Sequence, residues 1–289
     1  TETVYGLAGN AYSNISVKKI YDLKKRPSIN PLIIHFYSIK NLEKDLIYNR
    51  SFRKIYKAFC PGPITFILKK NSKSKISKKA TAGKNTIAVR FPKHPVARKL
   101  LKILKVPLAA PSANMSSKLS PTCASDVRDE FKNKIKLILN GGKCKIGLES
   151  TILDLTGKPK ILRHGFITAK KIGKILGKRV LISKKSKTIK SPGQLNLHYS
   201  PGIPVYMNKI RPKESGAFIS FGKKFKNDKN YFNLSKKNNL NEAAANLYKI
   251  MRTIKKRKFK SISVCRIPDM DLGNAINERL KKASTKWMK

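Results

Sequence analysis

The chain has 289 residues, 40% of them hydrophobic, with 65 Lys plus Arg against 15 Asp plus Glu and a formal net charge of +50. That is enough length and apolar content for one large or two ordinary domains with a real core. No apolar run approaches the ~20 residues of a membrane span. Four scattered cysteines (Cys60, Cys123, Cys144 and Cys265) form no C-x-x-C pair, which argues against a zinc site or disulfide framework and fits a reducing cytosol.

The charge has two readings. A field of this sign attracts phosphates, nucleic acids and anionic surfaces. A compositional drift that uses Lys wherever a solvated residue is tolerated would look the same.

Residues 1–12 read as the end of a strand followed by a turn at Gly6 and Gly9, where glycine allows close backbone approach to a ligand. Thr3 offers a hydroxyl there, although threonine is also an ordinary strand residue. Val17, Ile20, Tyr21 and Leu23 recur near helical spacing, so a short amphipathic helix is predicted with Lys24, Lys25 and Arg26 in its last turn. Cations suit the negative end of the helix dipole. Pro27 stops the helix, because the residue before a proline is pushed out of the α region. PLIIHF then reads as a buried strand. The corner pins a cluster of cations where an anion can be held; the plain alternative is a solvated basic helix end.

Residues 41–58 look helical. Pro61-Gly62-Pro63 breaks the chain before a strand at 64–70, and residues 71–85 form a polar loop without periodicity. From Thr86 to Phe91 apolar Ile87, Val89 and Phe91 alternate with Thr86, Ala88 and Arg90, which puts Thr86 and Arg90 together on the other face. A helix at 94–104 and a strand at 106–110 lead into Pro111-Ser112-Ala113-Asn114. Loops at strand ends commonly hold ligands, but Ser112 and Asn114 are equally ordinary turn residues. Ser120 and Pro121 read as N-cap and first residue of a helix whose N-terminus would receive an anion. Strands follow at 137–139, 150–155 and 160–163, then a helix at 167–176 and a linker at 183–204. After Pro204 the pattern is β-β-α-β-α, with strands at 205–207, 217–221 and 261–267 and helices at 241–255 and 272–283, a small parallel sheet with helical cover. Neither G-x-x-x-x-G-K-[ST] nor G-x-G-x-x-G occurs, so a nucleotide would be held by other means.

An ordered set of motifs runs along nearly the whole chain: TETVYGLAGNA, KKRPSINPLIIHF, FCPGPITFILKK, NTIAVRFPKHP, PLAAPSAN, SPT at Ser120, GLESTILDL, ILRHG, SPGQLNLHYSPGIP and DLGNAINERLKKAS. Together they resemble the threonylcarbamoyl-AMP synthase family in its two-domain form. The resemblance implies an α/β fold: a large YrdC-like twisted mixed sheet with helices around a concave basic cleft, plus a smaller Rossmann-like α/β domain. It divides the chain into residues 1–182, a linker or lid at 183–204, and residues 205–289. It also implies an opening strand ahead of Thr1.

The activity implied is the reaction of L-threonine, bicarbonate and ATP to L-threonylcarbamoyladenylate and pyrophosphate, for later transfer to an adenosine beside the tRNA anticodon. The implied ATP side takes Arg26, Asn30, Thr86, Ser112, Ser120, Arg163 and His198, with Lys24 a further phosphate candidate. The implied threonine side takes Thr3, His35, Arg90, the Ala110 backbone and Ser150. Of these, Arg26, Lys24, Arg90 and Ser150 are the candidates for catalysis. Mg²⁺ would be held mainly by ATP phosphates rather than by a protein metal site, in keeping with the acid-poor motifs. Lys and Arg can stabilise charge building on phosphate oxygens, and Arg90 offers a bidentate fork for a carboxylate or carbamate.

Two departures stand out. His164 occupies the usual proline position after Arg163, and Leu195-Asn196-Leu197 replaces a more polar run ahead of His198-Tyr199. A tRNA threonylcarbamoyl-transferase complex is the expected downstream partner, in the cytoplasm and without a membrane. The competing class is a non-catalytic module binding tRNA or duplex RNA, which the charge would favour. Trp287, in the tail, is the single tryptophan, and basic-aromatic interleaving suited to base stacking is missing. A pure RNA binder has no need of Ser150, Arg90 and Asn30 in one cleft. The linker, with prolines, an aromatic and a histidine, is expected to fold across the cleft mouth as a lid.

Overall fold

The computed structural model describes residues 1–40, 42–183, 191–192, 198–225 and 228–284. Its elements are β1 (Gly9–Asn10), α1 (Asn14–Lys24), β2 (Ile33–His35), β3 (Leu46–Ile47), α2 (Arg50–Phe59), β4 (Ile64–Lys70), β5 (Thr86–Arg90), α3 (Pro95–Leu104), β6 (Leu108–Ala109) and α4 (Ala124–Phe131). They continue with β7 (Thr151–Asp154), β8 (Lys160–Arg163), α5 (Ala169–Leu176), β9 (Leu181–Ile182), β10 (Val205–Tyr206), β11 (Ala217–Ser220), β12 (Tyr231–Asn233), α6 (Leu240–Lys256), β13 (Ile262–Val264) and α7 (Asp271–Ser284).

The first nine strands form one mixed sheet in the order β1-β6-β2-β5-β4-β7-β8-β9, with β3 pairing β4. Alternation along its strands decides which side chains meet. Ile34, Phe66, Leu68, Ile87 and Val89 face the main core with Val17 and Ile20 of α1 and Phe52 and Ile55 of α2. Ile33, Ile67, Ala88 and Ile152 pack together as a separate cluster. The latter four share the parity of His35, Thr65, Arg90 and Ser150, so the polar residues are delivered to the sheet face opposite the main core.

The register of β7 with β8 shifts between Ile152 and Leu153: Ile152 opposes Arg163, while Leu153 opposes Ile161. Leu162 is the extra residue. Simple alternation would put Arg163 with Ile161, on the core side. The bulge turns it over, the re-aiming that β-bulges commonly provide.

The remaining strands form a parallel sheet, β10-β13-β11-β12. The last strand therefore sits between the first two, and α6 and α7 bury Leu247, Met251, Leu272 and Ile276 in the same core. Val4, Leu119 and Leu148, from the large sheet's surroundings, are buried in that core too. Gly147 marks a close approach to α6. Its φ is +72°, and a Cβ there would stand 2.6 Å from the Ala245 Cα of α6, so both conformation and space require glycine.

Several sequence expectations are corrected. Residues 1–5 form no strand; Gly6 instead bridges Ser112. The expected helix at 41–58 divides into a 3-10 turn at Leu42–Lys44, β3, and α2. Asn49 causes the restart, its side chain accepting the Phe52 N–H as N-cap. Helix α1 ends at Lys24, and Lys25 takes the left-handed cap conformation with φ 49°. The helix expected from Ser120 begins at Ala124, and its Cys123 N-cap makes no side-chain cap bond. The Asp126 carboxylate in its first turn already accepts the Thr122 N–H at 2.8 Å. Leu137 and Leu139 are exposed and lie in no strand. Strands β9 and β12 were not expected. Leu195-Asn196-Leu197 and Trp287 lie outside the described residues.

Candidate functional site

The polar face of the large sheet closes on a small cleft lined by Arg26, His35, Arg90, Ala110, Ser112, Ser150, Arg163 and His198, together with Glu149 and Pro192. Eight residues expected at the site thus meet in one place, although they come from five strands or their ends, two loops and the linker. Thr3, Lys24, Asn30, Thr86 and Ser120 do not line the cleft.

Arg26 lies just after the C-cap of α1. Its Nε donates to the Asn30 carbonyl at 3.0 Å and its Nη2 to the Pro31 carbonyl at 2.9 Å. These bonds hold the guanidinium against the cleft. Burial lowers its pKa to about 10, still cationic at neutral pH. Lys24, expected beside it on phosphate, points elsewhere. Its Nζ donates to the Ser112 carbonyl at 2.6 Å and to the Asn114 carbonyl. It ties the end of α1 to the 112–114 loop, and burial with the nearby Arg26 charge pushes its pKa well below the usual ammonium range.

Arg90 ends β5 with its fork already engaged. Nη2 pairs with the Glu2 carboxylate at 2.7 Å and Nη1 donates to the Thr3 hydroxyl at 2.8 Å. Burial pushes the Glu2 carboxyl up, but the charge and hydrogen bond of Arg90 outweigh it, for a net lowering. Ser150 exchanges a 2.7 Å hydrogen bond with the Thr65 hydroxyl. Arg163 donates from Nε to the Ser150 carbonyl at 3.0 Å and from Nη2 to its hydroxyl at 3.2 Å. Gly165 permits this approach, since a Cβ there would stand 2.4 Å from the Thr151 nitrogen.

The two cleft histidines are neutral. Burial, and then the charge of Arg90, bring His35 to about 3. Burial likewise brings His198 to about 3, with Arg26, Lys282 and Arg163 adding to it. They can hydrogen-bond or pack against a ligand but do not clamp an anion by charge. Asn30 Oδ1, Asn114 Oδ1, Arg90 Nε and His198 Nδ1 are buried without a hydrogen-bond partner among the described residues. Tyr199, Arg252, Ser261 and Arg279 hold four further such atoms away from the cleft lining; Arg90 Nε and His198 Nδ1 belong to cleft-lining residues, and since buried polar atoms are nearly always paired, these two are open to a ligand.

Pro192 and His198 bring the linker to the cleft, which as it stands encloses about 50 Å³, little more than one water's share of liquid volume. A wider concavity of about 760 Å³ adjoins it through Arg26 and is lined by Lys18, Lys25, Lys78 and Lys79. A third of about 540 Å³ shares His35 and Ala110 but is walled by Leu100, Leu101, Leu104 and Leu137. Its apolar lining offers little to a charged ligand, so the guanidinium-lined cleft is the candidate site despite its smaller volume.

Sequence reasoning left Glu2, Glu149 and Arg279 without roles. Glu149 lines the cleft. Its carboxylate accepts the Ser120 hydroxyl at 2.5 Å and pairs with Arg279 of α7 at 2.9 Å. Burial alone would raise its pKa, but Arg279, Arg163 and Ser120 bring it to about 2. The scarcity of acids in this chain was a usable signal for both glutamates. Arg279 carried none, being one cation among many.

Comparison with known proteins gives a consistent picture. A family model described as "Telomere recombination" matches residues 1–165, and one described as "Threonylcarbamoyl-AMP synthase, C-terminal domain" matches residues 167–285. The threonylcarbamoyl-AMP synthase of Pyrococcus abyssi is 36% identical over 98% of this chain and 88% of its own length. That of Bacillus subtilis is likewise 36% identical, with the same coverage. Among solved structures, P. abyssi Sua5 complexed with L-threonine superposes with a TM-score of 0.90 at 35% identity, over 98% of this chain and 88% of that one.

Proposed function

The chain belongs to the threonylcarbamoyl-AMP synthase family, and we propose that the cleft joining Arg26, Arg90, Ser150 and Arg163 is where it does its chemistry. It is an enzyme that converts L-threonine, bicarbonate and ATP to L-threonylcarbamoyladenylate and pyrophosphate. The observation that carries the assignment is the convergence of Arg26, Arg90 and Arg163 on one enclosed space beside buried, unpartnered polar atoms.

On this reading, the threonine amine and bicarbonate form a carbamate, releasing water. A carbamate oxygen attacks the α-phosphate of ATP, and the bond to pyrophosphate breaks. Negative charge accumulates on phosphate oxygens, where fixed guanidinium groups act most strongly because they are already oriented. Arg26 and Arg163 face the nucleotide; Arg90, His35, the Ala110 backbone and Ser150 face threonine. Thr3 acts through Arg90, and Ser120 acts through Glu149. Asn30 and Ser112 hold the nucleotide at the α1–β2 corner and the 112–114 loop, and Thr86 is assigned to it from the family pattern alone. No nucleophilic side chain is needed, so the protein's part is positioning and electrostatics.

Mg²⁺ would travel with ATP on triphosphate oxygens, neutralising them as the α-phosphate is attacked. Three or more His, Cys, Asp or Glu side chains that could hold a metal occur together nowhere among the described residues. The linker is proposed as a lid, since Pro192 and His198 stand at a cleft too narrow for ATP as it is. Excluding water there would protect a labile mixed anhydride. The product would then pass to a transferase acting on tRNA, and contact with tRNA is part of this proposal. No helix among the described residues is long and apolar enough to cross a membrane.

The assignment is tested by a crystal structure with L-threonine and a non-hydrolysable ATP analogue. Threonine between His35 and Ser150 with phosphates on Arg26 and Arg163 supports it; a nucleotide bound elsewhere overturns it.

A further inference from the structure

We propose that Arg279, on the last helix of the small domain, is a positioning residue for the reaction: it cancels the charge of Glu149 so that the cleft accepts ATP. This inference rests on the cleft being the nucleotide site.

The geometry is that of a built contact. Arg279 is 1% exposed. Its Nε donates to Glu149 Oε2 at 2.9 Å and its Nη2 to the His164 carbonyl at 2.9 Å, while Nη1 lies 3.4 Å from Glu278. Its Cζ stands 5.1 Å from the centre of the Tyr199 ring. The Tyr248 hydroxyl of α6 donates to the same Glu149 carboxylate at 3.1 Å. The small domain thus supplies both a cation and a hydroxyl to one glutamate of the large domain.

Glu149 is the anomaly that needs a counter-ion. It is the carboxylate lining a cleft otherwise dressed for anions, and it is 5% exposed. Coulomb repulsion between a buried carboxylate and an incoming triphosphate is weakly screened compared with the same pair in water. Arg163 also lowers Glu149 through its charge, but it lines the cleft and its hydrogen bonds go to Ser150, whereas Arg279 pairs with the carboxylate directly. Arg279 bonds Glu149 but does not itself line the cleft. It can neutralise the glutamate without occupying substrate space, and Glu149 can then fix the Ser120 hydroxyl. The small domain becomes an electrostatic part of the active site rather than an appendage.

The test uses the full chain and steady-state pyrophosphate release with ATP varied. Arg279→Met should raise the KM for ATP at least tenfold while the KM for threonine changes less. Adding Glu149→Gln to Arg279→Met should recover most of that loss, because a neutral amide needs no counter-ion and still accepts the Ser120 hydroxyl. Arg279→Lys, which keeps the charge and gives up the fork, should retain a near-normal KM for ATP. Lys256→Ala, which breaks an exposed cross-domain pair with Asp129, should leave turnover unchanged. If Arg279→Met does not fold, Arg279→Lys and the double variant still decide the matter. A double variant whose KM for ATP stays as high as that of the single variant, or an Arg279→Lys variant with its KM for ATP raised tenfold, each melting normally, overturns the inference while leaving the cleft assignment standing. Absence of product from the unmodified chain overturns the assignment and the inference with it.

Discussion

Arg90 closes on Glu2 across 2.7 Å at the end of β5, with the Thr3 hydroxyl at 2.8 Å on its other terminal nitrogen. The fork expected to take a substrate carboxylate is thus held by the chain's own, and Nε remains without a partner among the described residues. Arg90 therefore orients the N-terminal stretch as well as facing the threonine side. Removing one member of a buried pair costs about 3–5 kcal/mol. Arg90→Ala is expected to lower the melting temperature and raise the KM for threonine together. Glu2→Gln, which leaves a neutral acceptor for Arg90, should be milder in both. Unchanged melting and threonine dependence in Arg90→Ala would contradict this role.

Arg26 and Lys25 are adjacent cations with different expected consequences. Arg26 is buried against the cleft; Lys25 is an exposed left-handed cap. Loss of a charge-assisted hydrogen bond to phosphate costs roughly 1.5–3 kcal/mol, about 10- to 150-fold in rate or affinity. Arg26→Ala should show a loss of that size in kcat/KM for ATP. Lys25→Gly should leave activity intact and stabilise the fold slightly, since glycine takes the left-handed region without penalty. Similar small effects from both would return the stretch to solvated surface.

His198 tests the lid. Its buried Nδ1 has no partner among the described residues, so a nucleotide group is expected to supply one. One neutral hydrogen bond is worth about 0.5–1.5 kcal/mol. His198→Ala should weaken ATP binding by calorimetry about two- to tenfold and increase hydrolytic loss of the adenylate. ATP affinity and product lifetime equal to those of the unmodified chain would reduce the linker to a spacer.

The buried titratable groups predict how stability depends on pH. His35 and His198 are lowered from 6.5 to about 3. Between those values the unfolded chain binds protons that the folded protein refuses, so stability falls as pH falls below 6.5. Each histidine contributes a slope of about 1.4 kcal/mol per pH unit. Glu149, lowered from 4.5 to about 2, acts in the same direction at lower pH: its contribution is complete above 4.5 and is lost toward 2. Denaturant unfolding at stepped pH should show this, with His35→Gln/His198→Gln flatter from pH 6.5 to 4.5. A double variant with the original slope would refute the assignment to these histidines.

Where the local pattern and the packing agree, the chain is readable. The alternation in 86–91 correctly separates Ile87 and Val89 from Arg90, because a strand has only two faces. Elements β8, α6 and α7 are found close to their expected ends for similar reasons. The site is less readable because it depends on tertiary accidents. A single extra residue in β8 brings Arg163 to the cleft face; strand periodicity alone sends it to the core. Lys24 and Arg26 look interchangeable as cations in sequence, yet on either side of the turn at Lys25 one is tied to the 112–114 loop and the other lines the cleft. Asn49 inside an apparent helix was legible as a cap and would have divided residues 41–58. Arg279 lies far from Glu149 in sequence, and no local pattern announces that pairing.

The central claim is that this chain makes the adenylate from three substrates. The most direct measurement is pyrophosphate release by the purified chain with ATP, L-threonine, bicarbonate and Mg²⁺, each of the first three omitted in turn, with the nucleotide product identified by mass. The account predicts release with all present, a large drop on each omission, and threonylcarbamoyladenylate as the product. ATP turnover that ignores threonine and bicarbonate would contradict it.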